Sequence, residues 1–169
     1  ILTGAGGTFC SGMDLKAFLR GEVIRVEGRG LMGIVFKPPR KPLIAAVEGY
    51  ALAGGFEAML ACDLAVAARD AQFGIPEAKR GLAAAAGGLL RLPRLIPPRI
   101  GMERALTGDM MSAERAAGYG LGNELTEPGE ALTAAKALAA RIIANAPLSV
   151  AASKRVLVEQ SDWSLEERF

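Results

Sequence analysis

The stretch AGGFEAMLACDLAVAARDAQFGIPE, residues 53–77, carries most of what the chain says about its architecture. Gly54-Gly55 interrupt the pattern before them, and FEAMLAC then reads as two turns of helix. DLAVAA, residues 63–68, is a short apolar run of the kind that forms a strand buried on both faces. Gly74 and Pro76 mark a turn. Upstream, LIAAV at residues 43–47 is a second buried-strand run. Strand, turn, helix and strand in that order predict a parallel α/β arrangement.

Working outward, ILTG at the start reads as the end of a strand that runs into a glycine loop at residues 4–12. A short helix is expected near residues 14–19. Residues 21–33 are polar and glycine-containing, and the expectation there is a poorly ordered helix and loop. Pro38, Pro39 and Pro42 close off any helix that follows. The second half reads as helical. Ser112 suits an N-cap, Glu114 falls in the first turn, and Gly118 or Gly120 would end that helix. Leu132, Ala135, Ala139 and Ile142 recur at helical spacing, with Lys136 and Arg141 off that face. Pro147 separates this helix from another over residues 148–160. The expected division is a core at residues 1–110 and a helical region at residues 111–169.

Composition narrows the chemistry. The chain has 169 residues and is 51% hydrophobic, which fits a globular domain able to bury a core. Its richest apolar stretch, residues 43–68, is broken by Glu48, Glu57 and Asp63, so no membrane span is expected. Two cysteines are too few for a disulfide framework and point to a reducing cytoplasm. A net charge of +2 gives no strong field for nucleic acid. The chain contains no histidine. Ser-His and Cys-His nucleophiles and histidine metal sites are therefore excluded within it, and proton transfer falls to carboxylates, Lys, Tyr or Cys. The chain begins with Ile1 and ends in SLEERF, a helical pattern at residues 164–169, so a piece of a longer protein is expected.

Each motif is ambiguous alone. In GAGGTFCSGMDLK, residues 4–16, a dinucleotide-binding pattern would need glycine where Phe9 stands. Gly7 and Gly12 have P-loop spacing, but Met13-Asp14 occupy the places of the required Lys and Ser/Thr. What remains is a structural glycine turn or a different ligand loop. Gly54-Gly55 open a helix whose free N–H groups face outward, with Glu57 one turn in; a glutamate favoured by the helix dipole is the plainer reading. Glu77 follows a rigid Gly-Ile-Pro turn, and Gly81, Gly87 and Gly88 read as hinges.

Together the motifs say more. The order G-x-F-x-S-G-x-D-L-K, A-G-G-x-E, F-G-x-P-E and G-G-x-x-R-L-P-R closely resembles the crotonase (enoyl-CoA hydratase/isomerase) family, over about residues 1–145. The resemblance implies an α/β fold of repeated ββα units that form a spiral of two sheets, followed by C-terminal helices. It implies trimers, often paired into hexamers, with the C-terminal helices taking part. It also implies an acyl-CoA thioester substrate, with no cofactor beyond the CoA that the substrate carries, and no metal.

Residue roles follow from the same resemblance. Met13 and Gly54 would give the two backbone N–H groups of an oxyanion hole. Met13, Asp14, Leu15 and Lys16, with Gly54, would line the substrate and CoA path. Glu57 and Glu77 would be the catalytic carboxylates. Hydratases often carry three glycines where this chain has Ala53-Gly54-Gly55, and many carry alanine where it has Met13, whose side chain would narrow the acyl pocket. The chemistry is coherent without histidine or metal. Adding water to a 2-enoyl thioester puts negative charge on the thioester oxygen, which two fixed N–H groups stabilise. Two carboxylates of unlike protonation can activate water and deliver a proton. Enoyl-CoA hydration is the leading expectation. Enoyl-CoA isomerisation, hydroxyacyl-CoA dehydration and a non-catalytic acyl-CoA-binding homologue stand beside it.

Overall fold

The computed structural model describes residues 1–164, 166 and 168. Leu165, Glu167 and Phe169, part of the helical pattern expected at the end, lie outside the described residues.

The apolar runs form the centre. Strands β1 (Leu2–Thr3), β4 (Ile44–Val47), β6 (Leu64–Ala68) and β9 (Glu124–Thr126) make a four-stranded sheet in the order β1-β4-β6-β9, parallel throughout. Its register pairs Ala45 with Ala65 and Val47 with Ala67. Successive side chains on a strand point to opposite faces, and both faces of this sheet are covered. Ala45, Val47, Ala65 and Ala67 pack into the main core with Phe56, Met59 and Leu60 of helix α2 (Gly54–Leu60). Ile44, Ala46 and Val66 face the other way, onto Ala131 and Ala135 of helix α6 (Ala131–Ile143).

A second sheet carries strands β5 (Tyr50–Leu52), β7 (Gln72–Gly74) and β8 (Met111–Ser112), with β5 and β7 parallel and β7 and β8 antiparallel. Phe73 of this sheet stacks at a tilt on Phe56 of α2, with centroids 5.7 Å apart. From β4 to β7 the chain alternates between these two sheets, strand to strand, with α2 between β5 and β6. This is the spiral architecture implied by the motifs. Because β8 and β9 follow residue 110, the purely helical part of the chain starts only at Ala131. There α6 is followed by α7 (Pro147–Glu159), which has proline at its first position.

Several local expectations hold. Helix α1 (Leu15–Leu19) starts where anticipated, and helix α5 (Ala113–Gly118) is capped by Ser112, whose hydroxyl accepts the Arg115 N–H at 3.3 Å. Residues 21–33 differ from the expectation. They contain an antiparallel hairpin of β2 (Arg25–Val26) and β3 (Gly30–Leu31). Strands of two residues carry no readable alternation, and the glycines there shape the hairpin: Gly28 in the turn and Gly30 at the start of β3 have φ of 65° and 76°. Helix α3 (Gly88–Leu95) contains Pro93, and helix α4 (Pro98–Thr107) begins on a proline.

Glu48 joins the layers. Its carboxylate accepts the Gly129 N–H at 3.0 Å and the Ala131 N–H at 2.9 Å, so a residue next to β4 satisfies the open start of α6. α6 itself has no side-chain cap of its own.

Candidate active site

The site is built where the end of β5 turns into α2. Residues 9 and 10 lie along β5: the Phe9 N–H donates to Glu48 O at 2.8 Å, Cys10 N–H to Tyr50 O at 2.9 Å, and Leu52 N–H to Cys10 O at 2.9 Å. This delivers Gly12-Met13 to the start of α2. Gly12 has φ of 105°, and a Cβ there would lie 2.9 Å from the Ala53 Cβ and 3.8 Å from the Gly54 nitrogen. Only glycine permits that approach. Gly12, and with it the peptide that leads into Met13, therefore lies against the start of α2. Gly54 is the first residue of α2, so its N–H has no intrahelical acceptor.

Ala53 adopts φ 51°, ψ −128°, a conformation that favours glycine. It is held from both sides. Its N–H donates to Gly74 O at 2.9 Å, and its carbonyl accepts the Glu57 N–H at 3.0 Å. Strain of this kind costs on the order of 1–3 kcal/mol and persists only where the surroundings fix it. Here the surroundings are the end of β7 and the first turn of α2.

Glu57 lies one turn into α2 and is only 3% exposed. Its Oε1 accepts two backbone N–H groups, from Ala86 and Gly88, each at 2.8 Å. Gly87 and Gly88 are thus not hinges, as the sequence suggested. They form the entry to α3, where the Ala86 and Gly88 N–H groups clasp the glutamate. A Cβ on Gly88 would fall 2.8 Å from Glu57 Cγ, so the second glycine makes room for this side chain.

Glu77 sits in a 3₁₀ turn, Pro76–Arg80, immediately after β7. Its Oε2 is buried and, among the described residues, meets no hydrogen-bond donor. Burial pushes its pKa above the usual carboxylate range; its own backbone N–H opposes this, and the charge of Glu57 adds to it. The two carboxylates thus feel each other while occupying unlike environments.

The remaining candidates lie on the segment that follows Gly12. Asp14 spends its carboxylate as the cap of α1, accepting the Lys16 N–H at 2.8 Å and the Ala17 N–H at 3.1 Å. Leu15 and Lys16 are exposed on α1 and Met13 is half-buried. Leu31, which the sequence did not single out, reaches over α2, where a Cβ on Gly54 would lie 2.9 Å from its Cδ2. Arg91, the arginine of the G-G-x-x-R motif and one turn after Gly87, folds its side chain back over the start of α3. No His/Cys/Asp/Glu cluster fit for a metal occurs among the described residues.

With that geometry in view, the chain matches the enoyl-CoA hydratase/isomerase family over residues 1–169. The chain belongs to this family. The fold is the crotonase fold: an enoyl-CoA hydratase from Mycobacterium marinum superposes with TM-score 0.97 at 67% identity, covering 99% of this chain and 66% of that one. A carnitinyl-CoA dehydratase from Mycobacterium avium 104 superposes with TM-score 0.88 at 51% identity, covering 92% of this chain and 62% of its own. A carnitinyl-CoA dehydratase from Salmonella arizonae is 43% identical over 173 residues, which span all of this chain and 66% of the relative. The chain therefore spans just under two thirds of the length of these family members.

Proposed function

We propose that the full-length protein is a hydro-lyase acting on acyl-CoA thioesters, and that it adds water reversibly to a 2-trans-enoyl-CoA. The observation that carries this reading is the pair of glutamates in unlike environments, Glu57 one turn after Gly54 on α2 and Glu77 just beyond the end of β7 that holds Ala53. Glu57 presents a carboxylate fixed by two N–H donors. Glu77 presents a carboxyl whose pKa is raised by burial and whose buried oxygen meets no hydrogen-bond donor among the described residues. That asymmetry suits a base and an acid acting together.

In the proposed reaction Glu57 takes a proton from water as the water oxygen bonds to C3. The π electrons move to the thioester, whose oxygen is held by the Met13 and Gly54 N–H groups. Glu77 gives its proton to C2. Glu57 ends protonated and Glu77 ionised, so one proton passes back from Glu57 to Glu77, directly or through solvent, to reset the site. Dehydration of a 3-hydroxyacyl-CoA is the same path reversed. The exposed apolar residues Leu15, Phe18 and Met32, together with Leu31 above Gly54, favour an apolar acyl group. Lys16 would face the CoA portion, and no cofactor beyond that CoA is required.

Carnitinyl-CoA dehydration is the second reading, supported by the names of two of the relatives above. Isomerisation is less well supported, since a proton shuttle along one allyl system can use a single base. A homotrimer, or a hexamer of paired trimers, is part of the proposal. Exposed Ile143, Leu148, Leu157 and Val158 support it. The Leu132, Ala135, Ala139 and Ile142 face does not, because it packs within the chain against the first sheet. Two free thiols fit a reducing, cytoplasmic setting. The test is turnover by the full-length protein of a panel of 2-trans-enoyl-CoAs and of carnitinyl-CoA, with light scattering on the same sample. Hydration of a short enoyl-CoA is expected; exclusive action on carnitinyl-CoA would replace the first reading with the second.

A further inference from the structure

The G-G-x-x-R motif holds a residue that the proposed reaction leaves unused. Arg91 lies on α3, one turn from its start, and is half-buried. Its guanidinium folds back over the helix entry. Nη1 donates to Ala86 O at 3.4 Å, and Nη2 donates to the carbonyl of Val35, a fully buried residue just after the β2–β3 hairpin. Gly87 makes this fold-back possible. It has φ of 91°, and a Cβ there would lie 2.3 Å from Arg91 Nη1, closer than any contact allows. The two glycines thus have separate tasks: Gly87 clears space for Arg91 and Gly88 for Glu57.

The peptide chain links those tasks. Arg91 holds the carbonyl of Ala86, and the N–H of that same residue holds Glu57 Oε1. Through Val35 the same guanidinium is tied to a second, independent segment. Burial lowers the Arg91 pKa and the nearby Glu57 charge raises it, as expected for a cation facing that carboxylate without touching it. Arginine can serve two carbonyls at once because its donors are fixed in a planar fork; lysine concentrates its charge at one point.

We propose that Arg91 is a positioning residue for Glu57: by pinning the loop at residues 86–88 to the segment after the β2–β3 hairpin, it fixes the two N–H groups that aim the carboxylate. The proposal rests on the reading of Glu57 as a reacting group, but the pinning can be tested without turnover. In the full-length protein, Arg91→Met should speed hydrogen exchange at the Ala86 and Gly88 amides and leave strands β4 and β6 unchanged. It should also lower kcat for enoyl-CoA hydration on the order of 10²-fold, the cost of a reacting group misplaced by about 1 Å, with KM little altered. Arg91→Lys should recover only part of this, and added guanidinium should partly restore Arg91→Met.

Unchanged exchange at residues 86–88 in Arg91→Met would overturn the proposal whatever the activity. So would a loss of kcat that comes only with faster exchange throughout β4 and β6, since Arg91 would then be a structural staple. If the parent protein turns over no acyl-CoA, the functional reading fails on its own, and local exchange alone decides the pinning.

Discussion

Gly88→Ala separates the placement of Glu57 from the stability of the fold. The added Cβ would lie 2.8 Å from Glu57 Cγ and 3.0 Å from its Oε1. Ordinary contact between carbons is about 3.5–4.0 Å, so the glutamate must retreat by roughly 1 Å. Gly88 does not have a positive φ, so alanine brings no backbone strain, and the Gly88 N–H is retained. Overpacking costs about 1–3 kcal/mol, while replacing glycine in a helix returns up to about 1 kcal/mol. The net loss of stability should be about 0–3 kcal/mol, a fall in Tm of at most about 12 °C for a chain of this size. A 1 Å displacement of a reacting group costs on the order of 10² in rate. The expected result is a folded protein with kcat for enoyl-CoA hydration lowered about 10²-fold and binding of a saturated acyl-CoA largely intact. The assay is steady-state hydration with thermal unfolding on the same sample. A folded Gly88→Ala variant with parental kcat would refute the claim that Glu57, as clasped at the start of α3, takes part in the chemistry.

Other consequences are more local. Because the pKa of Glu77 is raised and the group is needed protonated, hydration should decline as pH rises through that pKa; a pH–rate profile should show this alkaline limb, and Glu77→Gln should abolish it. The same shift means that Glu77 contributes stability below its unfolded pKa that is lost as pH rises through the folded one. Glu48→Ala leaves the Gly129 and Ala131 N–H groups without their acceptor, and by analogy with other lost caps should cost about 0.5–2 kcal/mol, measured by denaturant unfolding, without changing KM. Burial, and secondarily Asp63, push the Cys62 thiol from 9.0 to about 12, so iodoacetamide at pH 8 should leave Cys62 unmodified in the folded protein; rapid alkylation there would contradict its placement.

The sequence spoke most clearly where several constraints met in a few residues. Residues 44–47 and 64–68 are apolar at every position because α2 and α6 cover opposite faces of their sheet, and that leaves continuous runs. Strands β5 and β7 are three residues each, and their identity comes from parallel pairing between distant segments, which no local pattern reports. The site divides in the same way. Glu57 and Glu77 stand inside recognisable motifs, and their candidacy followed. The clasp on Glu57 did not, because a backbone N–H has no letter of its own, and the double glycine that makes it possible looks the same as a hinge. Asp14 shows the converse. A residue expected on the CoA path puts its carboxylate into capping α1, a local task that its position before Leu15 and Lys16 already suggested.

The central claim is that two glutamates beside a pair of backbone N–H groups carry water onto an enoyl-CoA. It is tested most directly by incubating the full-length protein with a short 2-trans-enoyl-CoA in ¹⁸O-labelled water and analysing the product by mass spectrometry. The account predicts a 3-hydroxyacyl-CoA with one labelled oxygen at C3, and loss of that product when Glu57→Gln and Glu77→Gln are combined. A product with a shifted double bond and no label, or labelled product formed equally well by the double variant, would contradict it.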